Sequence, residues 1–265
     1  MTAPVSAIIP CYNSQATLER AVNSVLNQTV RPAELIIVDD GSTDGTAELM
    51  RDLKRGNGDW ISLIHNEKNL GPATSRNLAW SKASQTYVAF LDADDSWHIR
   101  KIEIQHRYMQ EHAELAMSGH AFVVVSGPLT PPIPADYQIR RFTAQKLLFR
   151  NPFITPGVMI KREVTHRFPE RRSHMEDHLL WMEIALTYGP IDLIQLPLAF
   201  LFKAQWGESG LSSQMWSMEK GELFNYRYLL SERRISIAMA GLLIAWSLLK
   251  FVRRILIKCY RLSNP

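Results

Sequence analysis

Two short apolar runs in this chain, Leu35–Val38 and Tyr87–Leu91, end abruptly in carboxylates, the first in Asp39-Asp40 and the second in Asp92-Ala93-Asp94-Asp95. A strand that is apolar over its whole length is buried on both faces, as in the middle of a parallel sheet, and open α/β sheets take their ligands outside the carboxyl edge of such strands. Val5–Ile9, which runs into Pro10-Cys11-Tyr12-Asn13, and Ile61–Ile64 read the same way. Between these runs Leu18, Ala21, Val22, Val25 and Leu26 stand at helical spacing, and helices are predicted over Thr46–Lys54 and, after the turn Asn69-Leu70-Gly71-Pro72, over Ala73–Lys82. Strand and helix alternating over the first hundred residues imply an α/β fold: a mainly parallel sheet with right-handed crossovers, flanked by helices.

Two carboxylates about 4 Å apart repel by roughly 1 to 4 kcal/mol, depending on how wet the site is. Three acids within Asp92–Asp95 therefore favour a bound cation over the plainer reading, a solvated turn ahead of the next helix. Downstream, the pattern predicts a helix over Trp97–Glu111, a strand over Ala121–Val125, a proline-rich loop over Gly127–Pro134 and a short helix over Ala144–Phe149. A strand over Val158–Ile160, a helix over Glu176–Tyr188 and an extended segment over Leu193–Phe202 follow.

Cys11 and Cys259 lie at opposite ends of the chain, which excludes a disulfide framework and a metal site of cysteine pairs and fits a reducing compartment. The first ten residues lack a basic stretch and a long apolar stretch, so they begin a strand and not a signal peptide, and the cytoplasm is the default location. Charge is uneven: residues 231–265 hold seven Lys and Arg against Glu232, a net of +6 in a chain of +4, which leaves −2 for the rest. Such a tail calls for an anionic surface. Aromatic residues do not interleave with its charges, so a single-stranded nucleic acid is not the expected partner.

Ile235–Leu249 is free of charge for fifteen residues, short of a membrane span. Beyond it Lys250, Arg254, Lys258 and Arg261 recur at helical spacing beside Phe251, Val252, Ile255, Leu256 and Ile257. That is the pattern of a basic amphipathic helix in the plane of a membrane interface. A core helix or an oligomer contact is the competing reading.

Five segments then combine: Ile9-Pro10-Cys11-Tyr12-Asn13; Val38-Asp39-Asp40-Gly41-Ser42-Thr43-Asp44-Gly45-Thr46; Asn69-Leu70-Gly71 with Ala73 and Arg76-Asn77; Phe90-Leu91-Asp92-Ala93-Asp94-Asp95; and Glu176-Asp177 ahead of Leu180-Trp181. In order and spacing they resemble the family 2 glycosyltransferases of the GT-A fold, over about residues 3–210. The resemblance implies a Rossmann-like catalytic domain over 1–215, followed by a helical, basic, membrane-associated tail over 216–265. It implies an inverting enzyme that moves a sugar from a nucleotide diphosphate, UDP favoured, to a hydroxyl of a saccharide or lipid-linked acceptor in cell-surface polysaccharide synthesis. The enzyme would sit peripherally on the inner face of the cell membrane.

By that resemblance Asp94 is the direct ligand of Mn²⁺ or Mg²⁺, and Asp92 reaches the ribose or the metal through water. Asp95 either supports the site or caps the helix beginning near Trp97. Pro10, Tyr12 and Asn13 line the nucleotide pocket, with Tyr12 stacking on the base or simply packing in a turn. Asp39 or Asp40 accepts hydrogen bonds from the base, Glu19 and Arg76 support it, and Gly71 and Ala93 join the substrate-binding set. Asp177 is the general base.

Three competing readings bear on these residues. Asp40, Ser42, Asp44 and Gly45 match the start of an EF-hand loop, but Arg51 stands where a bidentate Glu is needed, so calcium is not expected there. Ser173-His174-Met175-Glu176 has capping-box spacing, so the acids at 176–177 could do no more than start a helix. Leu91-Asp92-Ala93-Asp94 also resembles the nucleophile of an Asp-x-Asp phosphatase-type hydrolase, and a non-catalytic nucleotide-sugar-binding protein would keep Asp39 and Asp94 with no use for Asp177. The chain departs from many relatives after its last strand, where Phe202–Ser212 has no His to complete a metal site.

Overall fold

The computed structural model describes residues 1–125, 134, 136–170, 174–202 and 215–263, with side chains as far as Leu256. Its first half is the predicted alternation: β1 (Thr2–Cys11), α1 (Leu18–Leu26), β2 (Arg31–Asp39), α2 (Thr46–Asn57), β3 (Ile61–His65), α3 (Pro72–Lys82) and β4 (Tyr87–Phe90). These strands pair in the order β3-β2-β1-β4, all parallel. The apolar runs are continuous because both faces are covered. Ile9, Leu35, Ile37 and Ala89 enter one core, while Ile8, Ile36, Val38, Val88 and Phe90 enter the other, as the two-residue period of a strand requires.

The second half turns the sheet mixed. It comprises β5 (Ser96–Trp97), α4 (Lys101–Glu111), β6 (Met117–Val124), β7 (Ile139–Phe142), α5 (Ala144–Phe149), β8 (Val158–Lys161), α6 (Glu176–Tyr188) and β9 (Ile191–Leu201). β8 runs antiparallel between β4 and β6, β6 and β9 are parallel, and β5 and β7 lie antiparallel on β9. The proline-rich segment 127–133, Ser173 of the capping-box reading and residues 203–212 after the last strand lie outside the described residues.

One expected element is corrected. The helix predicted from Trp97 begins at Lys101, because Ser96 and Trp97 pair with Phe200 and Ala199 of β9 instead. Trp97 is buried, with its indole N–H donating to Pro156 O at 2.8 Å and the Lys101 amine 4.0 Å from the ring centroid. Asp95 therefore caps no helix.

Two further helices, α7 (Met215–Ser231) and α8 (Ile237–Ser263), close the second core: Tyr226, Leu229 and Leu243 pack with Leu147, Leu148, Leu179 and Met182. α8 turns Ser247, Lys250 and Arg254 towards α7. Ser247 Oγ donates to Glu219 Oε1 at 2.7 Å, Lys250 Nζ to Glu222 Oε1 at 2.5 Å, and Arg254 lies 3.3 Å from Glu219 Oε2. Both glutamates, on α7, are buried. Outward stand Leu242, Ala245, Leu249, Val252 and Leu256, at alternating intervals of three and four residues. Lys250 and Arg254, read from the sequence as facing an anionic surface, thus have their anions within the fold. No helix among the described residues is long and apolar enough to cross a membrane.

Candidate active site

The loops after β1 and β2 are tied together by Asn13. It adopts a left-handed backbone (φ 48°), donates its N–H to Ser42 Oγ at 2.9 Å and accepts Thr43 N–H on Oδ1 at 2.8 Å. Pro10 is buried in register with Val38, and Tyr12, two residues on, is 48% exposed.

The adjacent acids Asp39 and Asp40 have different surroundings, which sequence alone could not distinguish. Asp40 is saturated inside the protein: it accepts Asn66 Nδ2 at 2.7 Å, Leu70 N–H at 3.0 Å and Gly71 N–H at 2.8 Å. Gly71 makes this turn at φ 89°, a conformation that favours glycine. Among the described residues the Asp39 carboxylate accepts Ser42 N–H alone, at 3.0 Å, and faces His65 Nδ1 at 3.4 Å. Asp40 builds the loop that leads into α3, and Asp39, equally buried, has fewer hydrogen bonds among the described residues.

α3 carries Arg76, and this buried side chain joins two of the sequence motifs. Its Nη2 donates to Asp92 Oδ1 at 2.5 Å, and its Nη1 lies 3.8 Å from Glu176 Oε1. The guanidinium stands 5.4 Å from the Phe168 ring centroid, at the edge of an aromatic cluster of Trp80, Phe90, Phe168 and Trp181. Next to it, Asn77 exchanges two hydrogen bonds with the Phe168 backbone, fixing that wall to α3. Burial alone would lower the Arg76 pKa, but Asp92 and Glu176 outweigh it and the group is held charged. Arg76 thus spans the acidic loop and the start of α6, and among the described residues its polar partners lie there and not at the loops after β1 and β2 where the base was expected.

The acidic loop is divided by burial. Asp92 and Asp94 are partly exposed, whereas Asp95 is buried and accepts the Phe202 backbone N–H. Burial first, and then Asp92 and Asp94, push the Asp95 carboxyl up to about 8. Ala93 between them is buried in the core. Arg20, next to the exposed Glu19 that the resemblance selects, donates to Asp94 O at 2.5 Å and lies 3.7 Å from the Phe202 ring centroid. Its signal in the sequence was only its position on the first turn of α1.

At the start of α6, Asp177 accepts His178 N–H at 2.6 Å. Burial first, then the neighbouring Glu176, raise its carboxyl to about 7, with Arg76 opposing and Asp92 adding to the shift. Met175, the residue ahead of the helix, stands at the N-cap without a side-chain cap bond, and Glu176 pairs with Arg76. The start of α6, an arginine and the acidic loop after β4 therefore meet at one end of the sheet. Among the described residues no group of three or more His, Cys, Asp or Glu is arranged to hold a metal.

A parallel half-sheet with acids at its carboxyl edge and a further acidic pair opening α6 fits the GT-A fold that the motifs lead one to expect. The chain belongs to glycosyl transferase family 2, whose family model matches residues 6–167. It is 33% identical over 232 residues to TuaG of Bacillus subtilis (strain 168), a glycosyltransferase to which teichuronic acid biosynthesis has been attributed; the match covers 84% of this chain and 87% of TuaG. It is 32% identical over 180 residues to WfgD of Escherichia coli, a UDP-Glc:alpha-D-GlcNAc-diphosphoundecaprenol beta-1,3-glucosyltransferase, covering 68% of this chain and 69% of WfgD.

Among solved structures, S. aureus TarS 1-349 in complex with UDP-GlcNAc superposes with a TM-score of 0.71 at 21% identity, over 92% of this chain and 71% of TarS 1-349. The mannosyltransferase PcManGT from Pyrobaculum calidifontis, in complex with GDP-Man and Mn²⁺, superposes with a TM-score of 0.63 at 18% identity, over 86% of this chain and 64% of PcManGT. At these identities the likeness establishes the fold. Membership of the family sets aside the phosphatase-type reading of Asp92-Ala93-Asp94.

Proposed function

We propose that this glycosyltransferase is inverting and metal-dependent, moving a sugar from a UDP-sugar to a hydroxyl of a saccharide or lipid-linked acceptor in cell-surface polysaccharide synthesis. The observation that carries the reading is Arg76, which joins Asp92 of the acidic loop to the Glu176-Asp177 pair and so brings the donor side and the acceptor side onto one site. Asp177, at about 7, is suited to take the acceptor proton at neutral pH while the freed oxygen attacks the anomeric carbon and the bond to the diphosphate breaks. Asp39 would accept the uracil N–H, with Tyr12 against the ring. Asp40 stays with its loop.

The donor set fits a divalent cation. By the family resemblance Asp94, partly exposed on the acidic loop, would ligate directly, with Asp92, paired to Arg76, secondary, while Asp95 is buried behind them. One or two carboxylates plus substrate phosphates are a usual set for Mg²⁺ or Mn²⁺. Bound there, the ion would offset the charge that grows on the leaving diphosphate. The reading is tested by screening UDP-, GDP- and dTDP-sugars with Mn²⁺ or Mg²⁺ for binding and slow hydrolysis. UDP-sugars should lead, and retention of a GDP-sugar alone would overturn the assignment of the base.

The tail fits peripheral membrane association on the cytoplasmic face, through apolar contact more than through charge. WfgD, by its name, acts on a diphosphoundecaprenol-linked sugar. The outward face of α8 is apolar, with Leu242, Leu249 and Leu256 each more than half exposed, and Arg253 is exposed on the same helix. Full burial of each Leu is worth about 1.5–3 kcal/mol, so even partial insertion of three dominates binding. Replacing all three with Ser is expected to move the protein from the pellet to the supernatant in sedimentation with phosphatidylglycerol vesicles, with hydrolysis of the donor unchanged. Continued pelleting would sink the claim.

A further inference from the structure

Two residues before the proposed base, the backbone takes a conformation that its own sequence does not stabilise. Met175 is left-handed at φ 62°, with no glycine to ease it and no side-chain cap on the first turn of α6. Such conformations persist where the surroundings over-determine them, and they cluster at functional sites. What determines this one comes from α7, fifty residues away. Asn225, fully buried, donates from Nδ2 to Met175 O at 2.8 Å. One turn earlier on α7, Gly221 packs so close that a Cβ would lie 2.7 Å from His174 O and 3.2 Å from Met175 Cβ.

The clamp has its own supports. The Tyr226 hydroxyl, next to Asn225, reaches Leu148 O at 2.9 Å and Glu222 Oε1 at 2.7 Å. His178, next to Asp177, puts Nε2 on Leu147 O at 2.7 Å, so the end of α5 anchors both helices. Glu219 and Glu222 fasten α7 to α8 through Arg254 and Lys250. We propose that Asn225 and Gly221 are positioning residues for Asp177, so that α7 is part of the catalytic machinery and not a tether to a membrane anchor. This rests on the reading of Asp177 as general base. Asn225 touches neither substrate nor reacting atom; it sets the direction in which the first turn of α6 presents the carboxylate.

The test uses the full chain and UDP release from UDP-glucose with Mn²⁺, water standing in for the acceptor. Asn225→Leu, similar in size but without the donor, and the milder Asn225→Ser are compared with wild type. A displacement of about 1 Å is enough to cost on the order of 10²-fold in rate. The expected result is a fall in kcat of roughly 10- to 100-fold for Asn225→Leu and less for Asn225→Ser. KM for UDP-glucose and UDP affinity by calorimetry should stay within about twofold, and the acid limb of the kcat/KM profile should move. Two results overturn the proposal: folded variants whose kcat and pH profile match wild type, or loss of kcat only in step with UDP affinity and thermal midpoint, as from a general loss of folding. Asp177→Asn in the same assay separates the two ideas. If it turns over normally, the base assignment has failed; if it is inactive while both Asn225 variants match wild type, only the positioning role has failed.

Discussion

Asp177→Asn is expected to bind UDP as wild type does and to turn over about 10²- to 10⁴-fold more slowly, the range typical of a lost general base. The substitution keeps the shape and the hydrogen bond from His178 N–H, so what it removes is the proton acceptor. Its companion is the pH profile of the unsubstituted enzyme. Burial and Glu176 raise the Asp177 carboxyl to about 7, so near that pH only half the molecules carry the carboxylate. A base works when deprotonated. The sign is therefore a rise in kcat/KM as pH increases through about 7, tenfold per pH unit on the acid side, levelling above. For Asp177→Asn this limb should vanish. A rate independent of pH between 5 and 8 in the unsubstituted enzyme would count against Asp177 as the base.

The second large effect is expected at Asp94. Asp94→Ala should abolish the Mn²⁺-dependent part of UDP binding and lower turnover by on the order of 10²- to 10³-fold, the loss seen when one preorganised electrostatic contact to a developing charge is deleted. EDTA should bring the wild-type protein to the same level and leave the variant where it is. Asp92→Asn is expected to act differently, because Asp92 is bound to Arg76: it frees the guanidinium and disturbs Glu176 as well as the donor side. If EDTA leaves wild-type binding and turnover unchanged, the metal reading fails, and the acidic loop must then serve through hydrogen bonds alone.

How much of this was legible in the sequence depended on the kind of information involved. The four parallel strands could be read because each must be apolar on both faces, and a run such as Leu35–Val38 records that directly. The ends of α5 and α6 were legible too, at Ala144–Phe149 and Glu176–Tyr188. The five motifs were legible as residue types in order. Trp97 was misread because helical periodicity is a local signal, and what makes Ser96–Trp97 a strand is β9, a hundred residues downstream.

The sequence by itself determined the α/β class, the parallel half of the sheet and the carboxylates at its edge, because burial acts on each residue's own polarity and leaves a periodic trace. Only the tertiary structure decided which polar group meets which. It bound Asp40 to the turn before α3 while setting Asp39 against Ser42 and His65, turned Lys250 and Arg254 inward to the acids of α7, and brought Arg76 between Asp92 and Glu176. It also set Asn225 on the backbone of Met175. The physical reason is that a hydrogen bond or ion pair depends on distances of about 3 Å between groups far apart in the chain, and no periodicity along the chain encodes such a distance.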